Sequence, residues 1–157
     1  MSVRVRLGAP HFHPNDCLEH YGVGETGLME STRDRIAWLT TIRADGSPHT
    51  TPVWFVLTAD PTFWIASASS NIKVGNIRRD PRVSIAVDGS GATPLVAEGR
   101  ARIHDDLSNC TEATSLLRRK YGGWDAEDGS VDGVRVLIEI PVHRWLSAVP
   151  TTGWIAT

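Results

Sequence analysis

The densest set of groups able to do chemistry is one short segment, Ser67-Ala68-Ser69-Ser70-Asn71-Ile72-Lys73. It lies between an apolar strand-like run and the start of a helix-like one. Exposed N–H groups and partial positive charge collect at a helix start, so hydroxyls and a lysine there suit an anion such as phosphate. Taken alone, Lys73 has two open readings: a phosphate ligand, or a lysine that solvates the helix. No catalytic constellation accompanies it. The chain has no G-x-S-x-G elbow, no H-E-x-x-H, no Walker loop and no G-x-G-x-x-G between strand and helix. His49, His104 and His143 are scattered and read as surface or strand residues. His11, His13, Cys17 and His20 cluster near the N-terminus. No carboxylate pattern fixes a metal geometry among them, so no metal site is expected. Any redox or transfer chemistry then belongs to a bound cofactor that the protein orients.

The 157 residues are the size of a single domain. We divide them into an N-terminal arm, 1–30, broken by Pro10, Pro14, Gly22, Gly24 and Gly27, and a folded domain, 31–157. With 41% hydrophobic and 22% charged residues, a packed core is expected. A net charge of −2 gives no reason to expect a nucleic-acid partner. Cys17 and Cys110 lie far apart and form no zinc spacing, so both are read as reduced and the compartment as cytoplasmic. No signal-peptide run opens the chain, and no segment reaches the ~18 apolar residues of a membrane span.

The elements that must position the polar segment follow from pattern. Residues 35–42 are β-branched and aromatic, Asp45-Gly46 is a hairpin turn, and 48–57 returns as a second strand. Pro52 marks that strand as an edge or a point of interrupted pairing. Residues 63–67 form a third strand. Asn71 is placed to cap a helix over 72–79, which Asp80-Pro81 stops. Strands follow at 82–87 and at 95–103, where Gly99 marks a bend or bulge. Ser108 is placed to cap a longer helix that includes Tyr121 and ends at Gly122-Gly123. A last strand covers 134–140, with 141–146 as a kinked extension. Six strands, mostly in hairpin order, with two helices predict a mainly β protein: an antiparallel β-barrel with helical additions.

Three stretches carry a family resemblance. They are Ala44-Asp45-Gly46-Ser47-Pro48-His49, Pro52-Val53-Trp54-Phe55, and the run Lys73-Val74-Gly75-Asn76-Ile77-Arg78-Arg79-Asp80-Pro81-Arg82-Val83-Ser84. Over residues 33–145 the chain resembles the pyridoxamine 5'-phosphate oxidase-like split-barrel superfamily. Within it, the last run looks like the actinobacterial flavin/deazaflavin oxidoreductases. The resemblance implies a homodimer of six-stranded antiparallel split β-barrels with two cofactor sites between the subunits. FMN is the first expectation, with the deazaflavin coenzyme F-420 and then haem as alternatives.

Carried over by position, the phosphate end falls on Ser67 and Lys73, with Ser69, Ser70 and Asn71 between them. The ring edge falls on Thr50, Thr51, Pro52, Val53 and Trp54. Trp54 reads equally as a core or subunit contact. Two arginines that pyridoxamine phosphate oxidases use are replaced by Thr51 and Ile72, which argues against vitamin B6 oxidation. Arg43, Arg78 and Arg79 are candidates for the charged tail of F-420. The implied activity is hydride transfer between the cofactor and a small organic substrate. The alternatives are a non-catalytic flavin, haem or tetrapyrrole carrier and a structural barrel without cofactor.

Overall fold

The computed structural model describes residues 34–88 and 94–146. The arm with its histidines and Cys17, and the tail with Trp154, lie outside the described residues. The elements are β1 (Ala37–Ile42), β2 (Pro48–Val53), β3 (Val56–Leu57), β4 (Thr62–Ala68), α1 (Ile72–Arg79), β5 (Arg82–Val87), β6 (Leu95–Arg100), β7 (Arg102–His104), a 3₁₀ turn (Leu107–Cys110), α2 (Thr111–Lys120) and β8 (Arg135–Trp145). All six expected strands are present. Two of them are interrupted: the second into β2 and β3, the fifth into β6 and β7.

Every pairing is antiparallel, and the sheet runs β2-β1-β5-β6-β8-β4-β3, with β7 also on β8. β8 joins the two halves. From Arg135 to Pro141 it pairs with β4, and Val142, Arg144 and Trp145 lie opposite β6. The register shifts between Glu98 and Gly99, as the glycine suggested. A Cβ at Gly99 would stand 2.5 Å from the Pro141 carbonyl oxygen and 2.8 Å from Ile140 Cγ2. The two backbones can approach this closely only without a side chain. Pro52 is tolerated because β2 is an edge strand.

Alternation sends Ala37, Leu39, Phe63, Ile65, Val83, Ile85, Ala97, Ile138 and Ile140 into one core. α1 lies against β1 and β7 and adds Val74 and Ile77 to that core. Burying each such side chain contributes ~1.5–3 kcal/mol. α1 has its expected bounds. Asn71 precedes it in an extended conformation but makes no side-chain cap bond, and the Asp80 N–H closes it on the Asn76 carbonyl at 2.8 Å.

The second helix departs from expectation. Asp106, not Ser108, caps its approach, accepting from the Ser108 N–H at 3.0 Å and hydroxyl at 2.6 Å. Ser108 therefore donates its hydroxyl, and α2 begins only at Thr111. Tyr121 is the residue after the helix, and Gly122 and Gly123 follow with φ of 65° and 88°.

α2 covers the opposite face of β4 and β8, where Leu117, Tyr121, Val56 and Leu137 form a second cluster. At its last turn the Lys120 Nζ sits 3.6 Å from the centre of the Phe55 ring, buried and without a hydrogen-bond partner. Desolvation pulls its pKa down to about 8; Asp34 opposes this and Arg35 adds to it. An unfolded lysine titrates near ~10.4. Between those values the unfolded chain holds more protons than the folded one. Stability therefore rises with pH across this window, and the cost of the buried charge is fully present below it.

Two predictions follow from this packing. Gly99→Ala should lower unfolding free energy by about 1–3 kcal/mol, measured by denaturant titration. An unchanged midpoint would mean that β6 and β8 can separate freely. The thermal midpoint of the wild type, taken relative to Lys120→Met, should climb from pH ~8 to ~10. A flat difference would show that the ammonium is solvated.

Candidate functional site

The barrel is open along one seam. β3 meets β4 only at Val56↔Trp64 and Leu57↔Phe63. Beyond that point, no ladder among the described residues joins β2 to the rest of β4. The interruption falls at Trp54 and Phe55. Phe55 is fully buried, so its N–H and C=O need partners inside the protein. The Tyr121 hydroxyl supplies them. It accepts from the Phe55 N–H at 2.8 Å and lies 3.0 Å from the Phe55 carbonyl and 2.9 Å from the Arg35 carbonyl. One hydroxyl proton is shared between those two acceptors. Trp54 stacks on the Tyr121 ring, with centroids 4.4 Å apart and planes 3° from parallel, and Trp124 meets it edge-on at 5.3 Å. One face of the Trp54 ring is thus already covered.

The register of β2 assigns its expected ring-edge residues to two faces. Thr50 and Pro52 stand opposite Thr40 and Trp38 on the outer face, and Thr50 Oγ1 is 2.9 Å from Thr40 Oγ1. His49 and Thr51 stand opposite Thr41 and Leu39 on the inner face, where Asn76 of α1 donates to Thr41 at 2.9 Å. Val53 is part of the core. Thr51 Oγ1 and His49 Nδ1 are buried and have no hydrogen-bond partner among the described residues. Two orphaned polar atoms, two residues apart on one face at an open seam, fit a site whose ligand completes their bonding.

The anion segment lies at the far end of β4. Ser67 is buried, and its hydroxyl accepts from Asn71 Nδ2 at 3.0 Å and donates to the Ala68 carbonyl at 3.3 Å. It braces the turn. Asn71 N–H closes that turn on Ala68 at 3.1 Å, and Ser69 N–H ties it to Val134 at 2.8 Å. Ser70 is exposed, and Ser69 is half-buried. Lys73 is half-buried in the first turn of α1, where the leading N–H groups have no intrahelical acceptor. Desolvation lowers its pKa, and the Asp132 carboxylate works against that. Ser67, Ser69, Ser70, Asn71 and Lys73 are therefore brought together, whereas Thr50 and Pro52 face away on the outer side of β2.

Sequence reasoning missed Arg135. It pairs with Ala68 across β4 and β8, beside the anion segment. Its guanidinium contacts Asp132 at 2.9 Å and the Asp128 carbonyl at 3.2 Å, and lies 5.2 Å from the centre of the Trp124 ring. A cation directly after the acidic loop 125–133 was the available signal. The three arginines singled out for a charged tail are turned to internal partners. Arg43 donates to the Pro48 carbonyl at 2.6 Å, Arg78 pairs with Asp105 at 2.6 Å, and Arg79 donates to the Ile42 carbonyl at 3.0 Å. His104 is held by Glu139 at 2.8 Å. Among the described residues, no group of three metal-ligating side chains occurs, and no helix is long and apolar enough to cross a membrane.

This geometry meets known proteins in three comparisons. The model of the family "Pyridoxamine 5'-phosphate oxidase" matches residues 30–148. An F420H(2)-dependent biliverdin reductase of Mycobacterium tuberculosis (strain CDC 1551 / Oshkosh) is 33% identical over 130 residues, covering 80% of this chain and 88% of that one. Among solved structures, a conserved hypothetical protein of Mycobacterium tuberculosis superposes with a TM-score of 0.61 at 26% identity, over 84% of this chain and 92% of that one. An F420 reductase superposes with a TM-score of 0.60 at 24% identity, over 74% and 94%. The open seam between β2 and β4 is thus the split of a split barrel, and the chain belongs to the pyridoxamine 5'-phosphate oxidase family.

Proposed function

We propose that the protein is a homodimeric reductase that uses a deazaflavin or flavin to pass a hydride to a small organic substrate at a cleft between subunits. The observation that carries this reading is the split itself. Its inner face holds the orphaned Thr51 Oγ1 and His49 Nδ1, and at one end Lys73 meets the start of α1. The 33% identical relative is named for dependence on F420H(2), which moves F-420 ahead of FMN as the proposed cofactor. The bound cofactor supplies the hydride. The chain supplies position. The Lys73 ammonium and the leading N–H groups of α1 hold the phosphate. Ser67 and Asn71 keep the turn in shape, with Ser69 and Ser70 facing the same end. Thr51 and His49 satisfy their polar atoms on the ligand, and Trp54, at the break in the strand, borders the ring, while Thr50 and Pro52 face the outer side and Val53 packs in the core. A cytoplasmic location belongs to the same reading, with Cys110 free and buried.

The dimer is supported by the outer face of the sheet. Pro52, Trp38, Ala86 and Val96 fall in one cross-strand row, and Trp38 is 49% exposed. An exposed indole inside an apolar row marks an interaction surface.

Fluorescence titration with F-420 and with FMN tests the cofactor. Lys73→Ala should weaken binding roughly tenfold or more, the scale of one charge-assisted hydrogen bond, while the circular dichroism spectrum is retained. Equal affinity in the variant would remove Lys73 from the site. Reoxidation of the bound reduced cofactor by a substrate panel separates an enzyme from a carrier. Trp38→Glu should convert a dimer to a monomer in size-exclusion chromatography with light scattering; an unaltered mass would place the subunit contact elsewhere.

A further inference from the structure

Outside the split, the most unusual charge arrangement is on the outer face of β5 and β6. Arg82 and Arg100 stand directly opposite one another in the ladder and point to the same side. Like charges placed opposite each other on neighbouring strands weaken the pairing. Asp80 makes hydrogen bonds to only one of the two, although its carboxylate feels both. Asp80 holds Arg82 through Nε at 3.0 Å and NH2 at 2.7 Å, and that guanidinium keeps the Asp80 carboxyl down at about 2. The Arg100 side chain makes no hydrogen bond or ion pair among the described residues. Both arginines line an open groove of about 600 Å³, together with the Thr40 and Ser84 hydroxyls, Ile42 and His143. Glu98 is the one carboxylate of the lining, and it is engaged by Arg144 at 2.7 Å. The groove is therefore cationic at one end, hydroxyl-lined in the middle and of ligand size.

Its other end touches the proposed ring-edge strand. Thr40 lines the groove and is bonded to Thr50 of β2. From β1 across β5 to β6 is two strand spacings, about 10 Å. We propose that this groove binds an elongated organic carboxylate, with its anionic end on Arg100 and Arg82 and its body reaching along Ser84 and Thr40 toward the split. This rests on the reductase reading in one respect: the carboxylate is assigned to the substrate. Asp80 engages Arg82 through Nε and NH2 and also feels Arg100, so the fork left for a ligand carboxylate is that of Arg100, beside an already oriented Arg82. A forked guanidinium binds a carboxylate through two parallel N–H bonds and discriminates against a neutral amide of the same shape.

The test uses the full chain and a matched pair of probes, 4-phenylbutanoate and 4-phenylbutanamide, titrated by calorimetry with amide chemical shifts to locate the site. The acid should bind saturably and roughly tenfold more tightly than the amide. Shifts should centre on Ser84 and Arg100. Arg100→Gln should remove that preference, and Arg100→Lys should keep part of it. Lys73→Ala should leave acid binding unchanged while cofactor binding falls. Equal binding of acid and amide, an unaffected Arg100→Gln, or no saturable binding would overturn the site. Acid binding in a protein that takes up neither F-420 nor FMN would uphold the anion site and sink the reductase reading.

Discussion

One phenolic hydroxyl sets the shape of this domain. An unbroken second strand would pair β2 and β3 with their neighbours along a single line and close the barrel. The chain leaves the ladder at Trp54 and Phe55 instead, and Phe55 is fully buried. A buried backbone N–H or carbonyl left unpaired costs ~1–3 kcal/mol. Tyr121 removes that cost at Phe55 by serving the N–H and sharing a proton with the carbonyl. The same ring stacks under Trp54, and the same oxygen reaches the Arg35 carbonyl just ahead of β1. Because α2 delivers Tyr121 to this point, the second hydrophobic cluster is what keeps the seam open.

The rest of the site depends on that opening. With the seam held apart, the inner face of β2 keeps His49 Nδ1 and Thr51 Oγ1 buried without a partner among the described residues, and α1 can lie across the barrel with its first turn at the end of β4. Asn76 of α1 bonds to Thr41, the cross-strand neighbour of His49. Helix and edge strand are therefore registered to each other through one buried side-chain contact. Arg78 and Arg79 use their charge to tie the other end of α1 to Asp105 and Ile42. Those arginines orient the helix, and Lys73, on its first turn, points where their pairing sets it.

What could be read from the sequence was whatever neighbours in sequence determine. α1 ran to its expected bounds because Asp80-Pro81 is a local stop, and β5 because its alternation is local. Gly99 reads as a bend or bulge, since a glycine inside a strand pattern signals close backbone approach. The break in the second strand was placed only loosely, by Pro52, because its cause is a residue 66 positions away. The start of α2 was misplaced because Asp106 and Ser108 are both good caps, and only the structure shows that the carboxylate accepts while the serine donates. Asn71 was read as a cap for a sound local reason, yet its amide went to Ser67, where a buried hydroxyl needed a donor. Arg135 was missed because its relevance comes from the pairing of β4 with β8, a long-range register that no local pattern encodes. The placement of the expected phosphate residues together on one turn was legible; the division of Thr50 and Thr51 between two faces followed only from the hairpin register.

On the proposed reading, the charge that meets a phosphate is the Lys73 ammonium, and where it sits sets the strength of that contact. Two unit charges 4 Å apart attract by ~1 kcal/mol in bulk water but by ~4 kcal/mol at the effective dielectric of a partly buried site. Lys73 is half-buried, and its lowered pKa has desolvation as the larger cause. A partly desolvated ammonium interacts more strongly with a neighbouring anion than an exposed one does. Asp132 already supplies part of that compensation, and Arg135 holds Asp132 in turn. On the proposed reading, an incoming phosphate meets an ammonium that already feels the Asp132 carboxylate, and it must outcompete that singly charged group. A dianion at the first turn of a helix has that advantage, whereas a neutral ligand does not.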